Sequence, residues 1–126
     1  MTTLLWVMGG GALGSGLRYG VGLWLNRPGF PVGTLTVNLL GCLLIGSLAT
    51  WLGQRLEINE GLRLAVLVGF LGGFTTFSSF GMETVRLVEA GRMGVALTYV
   101  GVSNLVGFLA VWAGMKLVTA LSQATP

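Results

Sequence analysis

The chain has 126 residues, of which 53% are hydrophobic and 9% charged, with a formal net charge of +3. A soluble domain carries about 25% charged residues, so this composition is typical of an integral membrane protein. The sequence contains neither histidine nor aspartate, which excludes histidine-based catalytic triads and histidine-ligated metals. We expect a protein that is not an enzyme and has no nucleic-acid partner. The lone Cys42 lies in an apolar run and is expected to be a small buried hydrophobe.

Charge-free stretches locate the membrane spans, because a bilayer-crossing helix needs about 20 mostly apolar residues. Charges are absent from 28 to 54, from 64 to 82 and from 93 to 115, and Arg18 alone interrupts the stretch from 1 to 26. The sequence therefore predicts one all-α transmembrane domain over residues 1–126, with helices near 3–25, 32–53, 62–89 and 93–120. No basic leader precedes the first apolar run, so we expect a retained helix rather than a cleaved signal peptide.

Lysine and arginine near the helix ends orient a multi-pass protein. With four spans, one face would carry Arg55, Arg63 and Lys116, and the other Arg18, Arg27, Arg86 and Arg92. So small a difference leaves two interpretations open: insertion in both orientations, or a single orientation with a weak signal.

Glycine accounts for 22 residues. Three pairs have the four-residue spacing that lets helix backbones approach closely in lipid. These pairs are Gly10 with Gly14, Gly16 with Gly20, and Gly69 with Gly73. Four helices of this length make a thin bundle with little interior, so a pathway would form most simply between subunits. We expect a homodimer at least.

Polar side chains within a span must find a partner or line a wet cavity. Thr34 and Asn38 are four residues apart and share one face of the second helix. A hydrogen bond to another helix and a lining for a permeating ion both fit this pair. Ser103 and Asn104, adjacent in the fourth helix, leave the same two interpretations open.

The segment from 69 to 81 is the least regular in the chain, with paired glycines, two threonines and two serines. This combination predicts a break in the third helix at membrane depth. Backbone carbonyls freed by such a break can ligate a cation. Phe74, Phe77 and Phe80 recur at every third position, which ordinarily indicates core packing. The positive edge of a phenyl ring can also stabilise a small anion.

Two charges lie at costly positions within the spans. We expect the Arg18 side chain to reach outward to the membrane interface, and near a pore entrance its charge would concentrate anions. Glu83 would repel anions unless it is protonated or hydrogen-bonded. An anion channel would therefore give Glu83 a regulatory or structural role.

Three runs carry a resemblance to a known family: GGGALGSGLRY at 9–19, GTLTVNLLG at 33–41 and GFLGGFTTFSSF at 69–80. In order and spacing, over essentially the whole chain, they resemble the Fluc (CrcB) family of microbial fluoride channels. The resemblance implies an antiparallel, dual-topology homodimer in the lipid of the bacterial inner membrane. It also implies two fluoride pores and a central structural sodium ion at the dimer interface.

Roles for individual residues follow from the same resemblance. Phe77 and Phe80 match the paired phenylalanines whose ring edges face fluoride, and Asn38 matches the pore asparagine. The break residues whose backbone carbonyls hold sodium are matched by Gly72 and Thr75. The other matched positions are Thr34 on the polar track, Arg18 near the vestibule and Glu83 after the phenylalanine pair. In the fourth helix, relatives often carry serine at the pore-lining position where this chain has Gly107. A one-residue shift in the register of this helix relative to the family pattern would exchange the roles of Ser103 and Asn104.

The implied activity is passive, fluoride-selective export of cytoplasmic fluoride. Fluoride leaves water only where closely spaced donors replace its hydration, and the candidate donors are Thr34, Asn38, Thr76, Ser78 and Ser79. Two alternatives stay open. A small proton-coupled exporter of the multidrug type needs a titrating carboxylate in the membrane, for which Glu83 is the one candidate. An assembly protein held together by its glycines would leave the polar break unexplained.

Overall fold

The computed structural model describes residues 1–55 and 57–124, and every named element in them is helical. In chain order these are α1 (Thr2–Leu25), α2 (Val32–Gly53), α3 (Glu60–Leu64), a π-helical segment (Ala65–Phe70), α4 (Leu71–Phe74), α5 (Phe77–Glu89) and α6 (Met93–Ala124). The elements from Glu60 to Glu89 form one 30-residue span, referred to below as the third span. The chain thus consists of four helical spans with short connections.

Three of these spans are long and apolar enough to cross a membrane: Val32–Gly53, Glu60–Glu89 and Met93–Ala124, with mean hydropathies of 1.8, 1.6 and 1.7. The 24-residue α1 falls below this level because seven glycines and Arg18 lower its mean hydropathy. A membrane protein can expose apolar surface to lipid, and large hydrophobic side chains are exposed along all four spans. The chain is therefore a multi-pass membrane protein.

The turn between α1 and α2 is built around Asn26. Its backbone N–H donates to the Gly22 carbonyl at the end of α1, and its side-chain Oδ1 accepts from the Gly33 N–H at the start of α2 (3.2 Å). Between them, Gly29 has a φ of +110°, a left-handed conformation that favours glycine. Asn26 therefore ties the end of one helix to the beginning of the next.

The third span departs from a regular helix in two places. It begins at Asn59, whose side chain accepts from the Gly61 N–H (2.8 Å) as an N-terminal cap. Six residues from Ala65 to Phe70 then form wider π-helical turns, which the sequence did not predict. The predicted break follows at 75–76, where both residues are extended.

Glycines bring α1 and the first half of the third span together, backbone against backbone. A Cβ at Gly10 or Gly14 would collide with a carbonyl oxygen of the π-helical segment. Gly69 and Gly73 approach the backbone of α1 in the same way. Two of the predicted glycine pairs therefore face each other across one interface.

The third pair behaves differently. Added Cβ atoms at Gly16 and Gly20 would meet no atom within 4 Å in the described part of the chain. Within the described residues, this pair therefore makes no close helix contact. Its spacing matches the motif, but no other described helix approaches these two positions.

Helices α2 and α6 also pack through glycine, with Gly46 against the Val111 carbonyl and Gly114 against the Leu43 carbonyl. A small side-chain core lies where α5 and α6 meet. Its fully buried member is Tyr99, at 0% exposure. This core fixes the second half of the third span against α6.

Candidate functional site

The break in the third span is held by Asn38 of α2. Its side-chain amide donates to the Thr76 carbonyl (3.0 Å), and its Oδ1 accepts from the Thr76 N–H (2.7 Å). The Asn38 side chain thus satisfies both the N–H and the carbonyl of Thr76, a residue outside the regular helical hydrogen bonding. The second amide hydrogen of Asn38 has no acceptor among the described residues. Asn38 therefore makes the interhelical contact and still keeps one donor free.

Thr76 also begins α5. Its hydroxyl oxygen accepts from the Ser79 N–H (3.2 Å) and donates to Ser79 Oγ (3.0 Å), an N-cap arrangement. The Ser78 hydroxyl lies 3.4 Å from the Thr76 hydroxyl, but Ser78 is exposed and lines neither cavity described below. Of the two serines predicted as donors, the structure places Ser79 in a cavity and Ser78 outside it.

Arg18 reaches the other side of the break. Its Nε donates to the Gly73 carbonyl (3.0 Å), and Ser15 Oγ donates to the same oxygen (3.5 Å). The guanidinium therefore caps the carbonyl end of the first half of the third span. The prediction that Arg18 reaches outward to the interface is wrong, because the break frees a carbonyl that its guanidinium can satisfy.

Glu83, about two helical turns after the break, is hydrogen-bonded through both carboxylate oxygens. Thr34 Oγ1 donates to one (2.7 Å) and the Tyr99 hydroxyl donates to the other (2.8 Å). Thr34 is 7% exposed and Tyr99 is fully buried. Two donors at these distances stabilise a charged carboxylate. Glu83 thereby joins α2, α5 and α6.

A first cavity of about 590 Å³, named here the vestibule, lies on the α1 side of the break. The predicted site residues that line it are Arg18, Thr34, Thr76, Ser79 and Glu83. These five predicted residues contribute a guanidinium, three hydroxyl groups and a carboxylate, and Ser15 and Tyr19 add two further hydroxyl groups to the lining. This lining suits water and small ions.

A second cavity of about 380 Å³, named here the phenylalanine cavity, lies on the α6 side of the break. The predicted site residues that line it are Asn38, Gly72, Thr75, Thr76, Phe77, Phe80 and Ser103, with Asn104 and Gly107 beside them. The Phe77 and Phe80 ring centroids are 5.7 Å apart, and Phe80 is 5.1 Å from Tyr99. The lining is mostly apolar, with a few polar groups.

Thr76 is the one described residue that lines both cavities. It is 8% exposed and lies at the break, so a narrow passage between the cavities would run past its hydroxyl. On the far side, Ser103 Oγ is buried and has no hydrogen-bond partner among the described residues. Asn104 instead donates to the Val100 carbonyl of its own helix (2.8 Å). The unsatisfied hydroxyl on α6 therefore belongs to Ser103.

Tyr99 is the functional contact that sequence reasoning missed. Its hydroxyl donates to Glu83, and its ring packs against Phe80. A tyrosine at membrane depth needs a partner for its hydroxyl, which is the signal that would have singled it out. The pairing itself depends on how α5 and α6 face each other, which spacing along one helix does not give.

The break frees the two backbone carbonyls that the resemblance assigns to sodium. In a continuous helix, the Thr76 N–H would donate to Gly72 and the Ser79 N–H to Thr75. Here the first donates to Asn38 and the second to the Thr76 hydroxyl. No cluster of acidic, histidine or cysteine side chains among the described residues could hold a metal. Carbonyl oxygens are ligands that suit a hard monovalent cation, so this site fits sodium.

The chain is similar to one protein-family model and to individual relatives over most of its length. The family model described as CrcB-like protein, Camphor Resistance (CrcB), matches residues 5–115. A relative from Acidobacterium capsulatum, named fluoride-specific ion channel FluC, is 48% identical over 114 residues, covering 88% of this chain and 91% of the relative. A relative of the same name from Pseudomonas fluorescens is 46% identical over 118 residues, covering 91% and 95%. These names describe an ion channel, which is not a class of enzyme. The chain belongs to the CrcB family.

Proposed function

We propose that this protein is a fluoride-selective ion channel that lets cytoplasmic fluoride leave the cell passively. Family membership and the names of its relatives, which are fluoride-specific ion channels, support this function. The observation that carries the proposal is the break at 75–76, which lies between two cavities that share Thr76. Backbone of this kind is tolerated at membrane depth only where it is buried in protein or lines a pathway.

The proposed pathway runs from the vestibule past Thr76 to the phenylalanine cavity. Arg18 would attract anions at the entrance. At the narrow point, the free amide hydrogen of Asn38 would replace part of the hydration shell, beside a Thr76 hydroxyl whose hydrogen is directed to Ser79. Ring edges of Phe77 and Phe80 follow, and the unsatisfied Ser103 hydroxyl supplies a further donor. Chloride is larger and would fit such a constriction poorly.

A homodimer of antiparallel subunits would complete the pathway. Phe77 is 82% exposed although it lines the phenylalanine cavity, and Phe108 of the same lining is 71% exposed. A single chain therefore leaves this cavity open on one side, and a second copy would close it. The nearly equal numbers of cations at the two ends are compatible with insertion in both orientations.

The freed carbonyls of Gly72 and Thr75 would hold a structural sodium ion at the subunit interface. Sodium bound there would lock the backbone of the break in one conformation. Replacing sodium by N-methyl-D-glucamine during purification should lower the melting temperature and the fraction of dimer. Equal melting temperatures and dimer fractions in the two cations would contradict a structural role for sodium.

A proton-coupled exporter is the second candidate, and Glu83 is the observation that bears on it. An exporter needs a carboxylate that takes up and releases a proton in each cycle. Both Glu83 oxygens already accept hydrogen bonds, from Thr34 and Tyr99. These two bonds tie α5 to α2 and α6 and give Glu83 a structural role, which favours the channel.

Ion efflux from reconstituted liposomes separates the two candidates. Vesicles loaded with potassium fluoride or potassium chloride are diluted with a potassium ionophore present, and the external anion is followed by electrode. We expect rapid fluoride efflux, little chloride efflux and no requirement for a proton gradient. Fluoride efflux only with an imposed proton gradient would favour the exporter, and no efflux from folded dimers would contradict the channel.

A further inference from the structure

Three arginines converge at the end of the molecule where α2 and α6 begin. Arg27 lies in the turn after α1, Arg86 in the last turn of α5, and Arg92 immediately before α6. Together they line a cavity of about 260 Å³ between the two connecting turns. A Cβ at Gly29 would lie 3.7 and 3.8 Å from the two terminal nitrogens of Arg92, so this side chain reaches across to the first turn.

The positive charge in this cavity is not neutralised within the described chain. Arg27, Arg86 and Arg92 are exposed, and none makes a side-chain hydrogen bond or ion pair with another described residue. Glu83 also lines the cavity, but both of its oxygens are engaged by donors on α2 and α6. Three guanidinium groups against one hydrogen-bonded carboxylate leave a net positive site. Glu89 at the same end is exposed and lies outside the lining.

Aromatic side chains place this cavity at the level of the lipid headgroups. Trp24, in the last turn of α1, is 85% exposed, and Tyr19 is 70% exposed on the same helix. Exposed tryptophan and tyrosine near the end of a spanning helix mark the boundary between hydrocarbon and headgroups. A basic pocket between helices at that level is the kind of site that receives anionic headgroups.

Guanidinium geometry identifies the class of ligand. A guanidinium presents two parallel N–H donors that match two oxygens of one phosphate, a pairing for which a single-atom halide offers no second oxygen. Three such groups around one cavity therefore suit a tetrahedral oxyanion better than fluoride. The fluoride pathway proposed above uses hydroxyl, amide and ring-edge donors instead.

We propose that the cavity formed by Arg27, Arg86 and Arg92 binds a phosphate group, with an anionic phospholipid headgroup as its source in the membrane. The two turns would then be held together by a shared anion. This site shares Glu83 with the vestibule, but its three arginines line neither cavity of the fluoride pathway, and its occupancy can be measured with no fluoride present.

Native mass spectrometry of the detergent-purified protein tests the proposal. Equal amounts of phosphatidylglycerol or phosphatidylcholine are added, and the bound lipids per subunit are counted for the wild type and three variants. These are Arg86→Gln with Arg92→Gln, the same pair changed to lysine, and Arg55→Gln as the control. Arg55 is an exposed arginine at the opposite end, near Glu57 (3.9 Å) and over the Trp51 ring.

The wild type and Arg55→Gln should prefer phosphatidylglycerol. The double glutamine variant should lose affinity by about fivefold for each arginine removed. The lysine pair, which keeps the charge without the paired donors, should fall between them and provides the test if the glutamine variant folds poorly. Unchanged phosphatidylglycerol binding in both double variants, or equal binding of both lipids by the wild type, would overturn the proposal.

A second arm distinguishes the source of the phosphate. Melting temperatures are measured in detergent with inorganic phosphate, with phosphatidylglycerol, and with sodium chloride at equal ionic strength as the reference. Stabilisation by phosphate that the glutamine pair abolishes would support the phosphate site with a free anion as a ligand. Stabilisation by phosphatidylglycerol alone supports the headgroup as the source, and arginine-dependent stabilisation by neither would contradict the site.

Discussion

The two halves of the third span are held in opposite ways. Residues 60–74 lie against α1 mainly through glycines, where backbone meets backbone, and side chains of α1 bond only to the Gly73 carbonyl at the end of this half among the described residues. Residues 77–89 are held by side-chain hydrogen bonds to α2 and α6, through Asn38 at the break and Glu83 beyond it. Close backbone packing restricts the size of the residues that the first half can carry, and hydrogen bonds fix the position of the second half. A substitution should therefore affect folding in the first half and ion conduction or local stability in the second.

The largest effect is expected at the glycine interface. A Cβ at Gly14 would collide with the Phe70 carbonyl, so Gly14→Ala should lower the free energy of unfolding by about 3 kcal/mol. Gly16, two residues later, has nothing within 4 Å, and Gly16→Ala should be neutral or stabilising by up to about 1 kcal/mol. Thermal unfolding in detergent compares the two. Equal melting temperatures for the two variants would refute backbone packing at Gly14.

The second-largest loss of stability is expected when the Asn38 side chain, which holds the break, is removed. Asn38→Ala leaves the N–H and the carbonyl of Thr76 without partners, which should cost about 2 to 3 kcal/mol. Asn104→Ala is the matched control, because its amide donates only to the Val100 carbonyl within α6. The melting temperature should fall for the first variant and stay within a degree or two for the second. A stable Asn38→Ala protein would show that the break holds its shape without α2.

The smallest of the stability effects is expected at Glu83. Tyr99→Phe removes one of its two donors and should cost about 1.5 kcal/mol, the loss of one hydrogen bond to a charged group. Tyr19→Phe, at a tyrosine that is 70% exposed, should change nothing measurable. Denaturation of the two variants side by side checks this difference. Identical stability would place the Tyr99 hydroxyl outside the network that holds α5.

Much of the architecture follows from simple features of the sequence. Charge-free stretches locate the helices. The segment from Gly72 to Ser79 combines poor helix formers with competing hydroxyls, which is why the break was predictable. Thr34 and Asn38 were assigned to one helix face, and both bond to the third span. These features depend on local propensity and on periodicity, and a single sequence is enough to show both.

Other features depend on contacts between helices. The π-helical turns, the inward reach of Arg18 and the bond from Tyr99 to Glu83 each need the relative position of two helices. Gly16 and Gly20 illustrate the same limit, since their spacing matches the packing motif while neither position is approached by another helix in the described part of the chain. Spacing along the sequence shows which residues share one face of a helix. It does not show which other helix packs against that face.

Fluoride efflux through liposomes that carry Phe77→Ile tests the central claim most directly. Phe70→Ile is the matched control on the same span, since Phe70 stacks on Phe74 outside both cavities (5.8 Å). If ring edges of the phenylalanine cavity stabilise the passing ion, Phe77→Ile should slow fluoride efflux at least about tenfold while the dimer stays folded. Phe70→Ile should leave the rate close to that of the wild type. Wild-type rates in Phe77→Ile, in Phe80→Ile and in the double variant would contradict a pathway through this cavity.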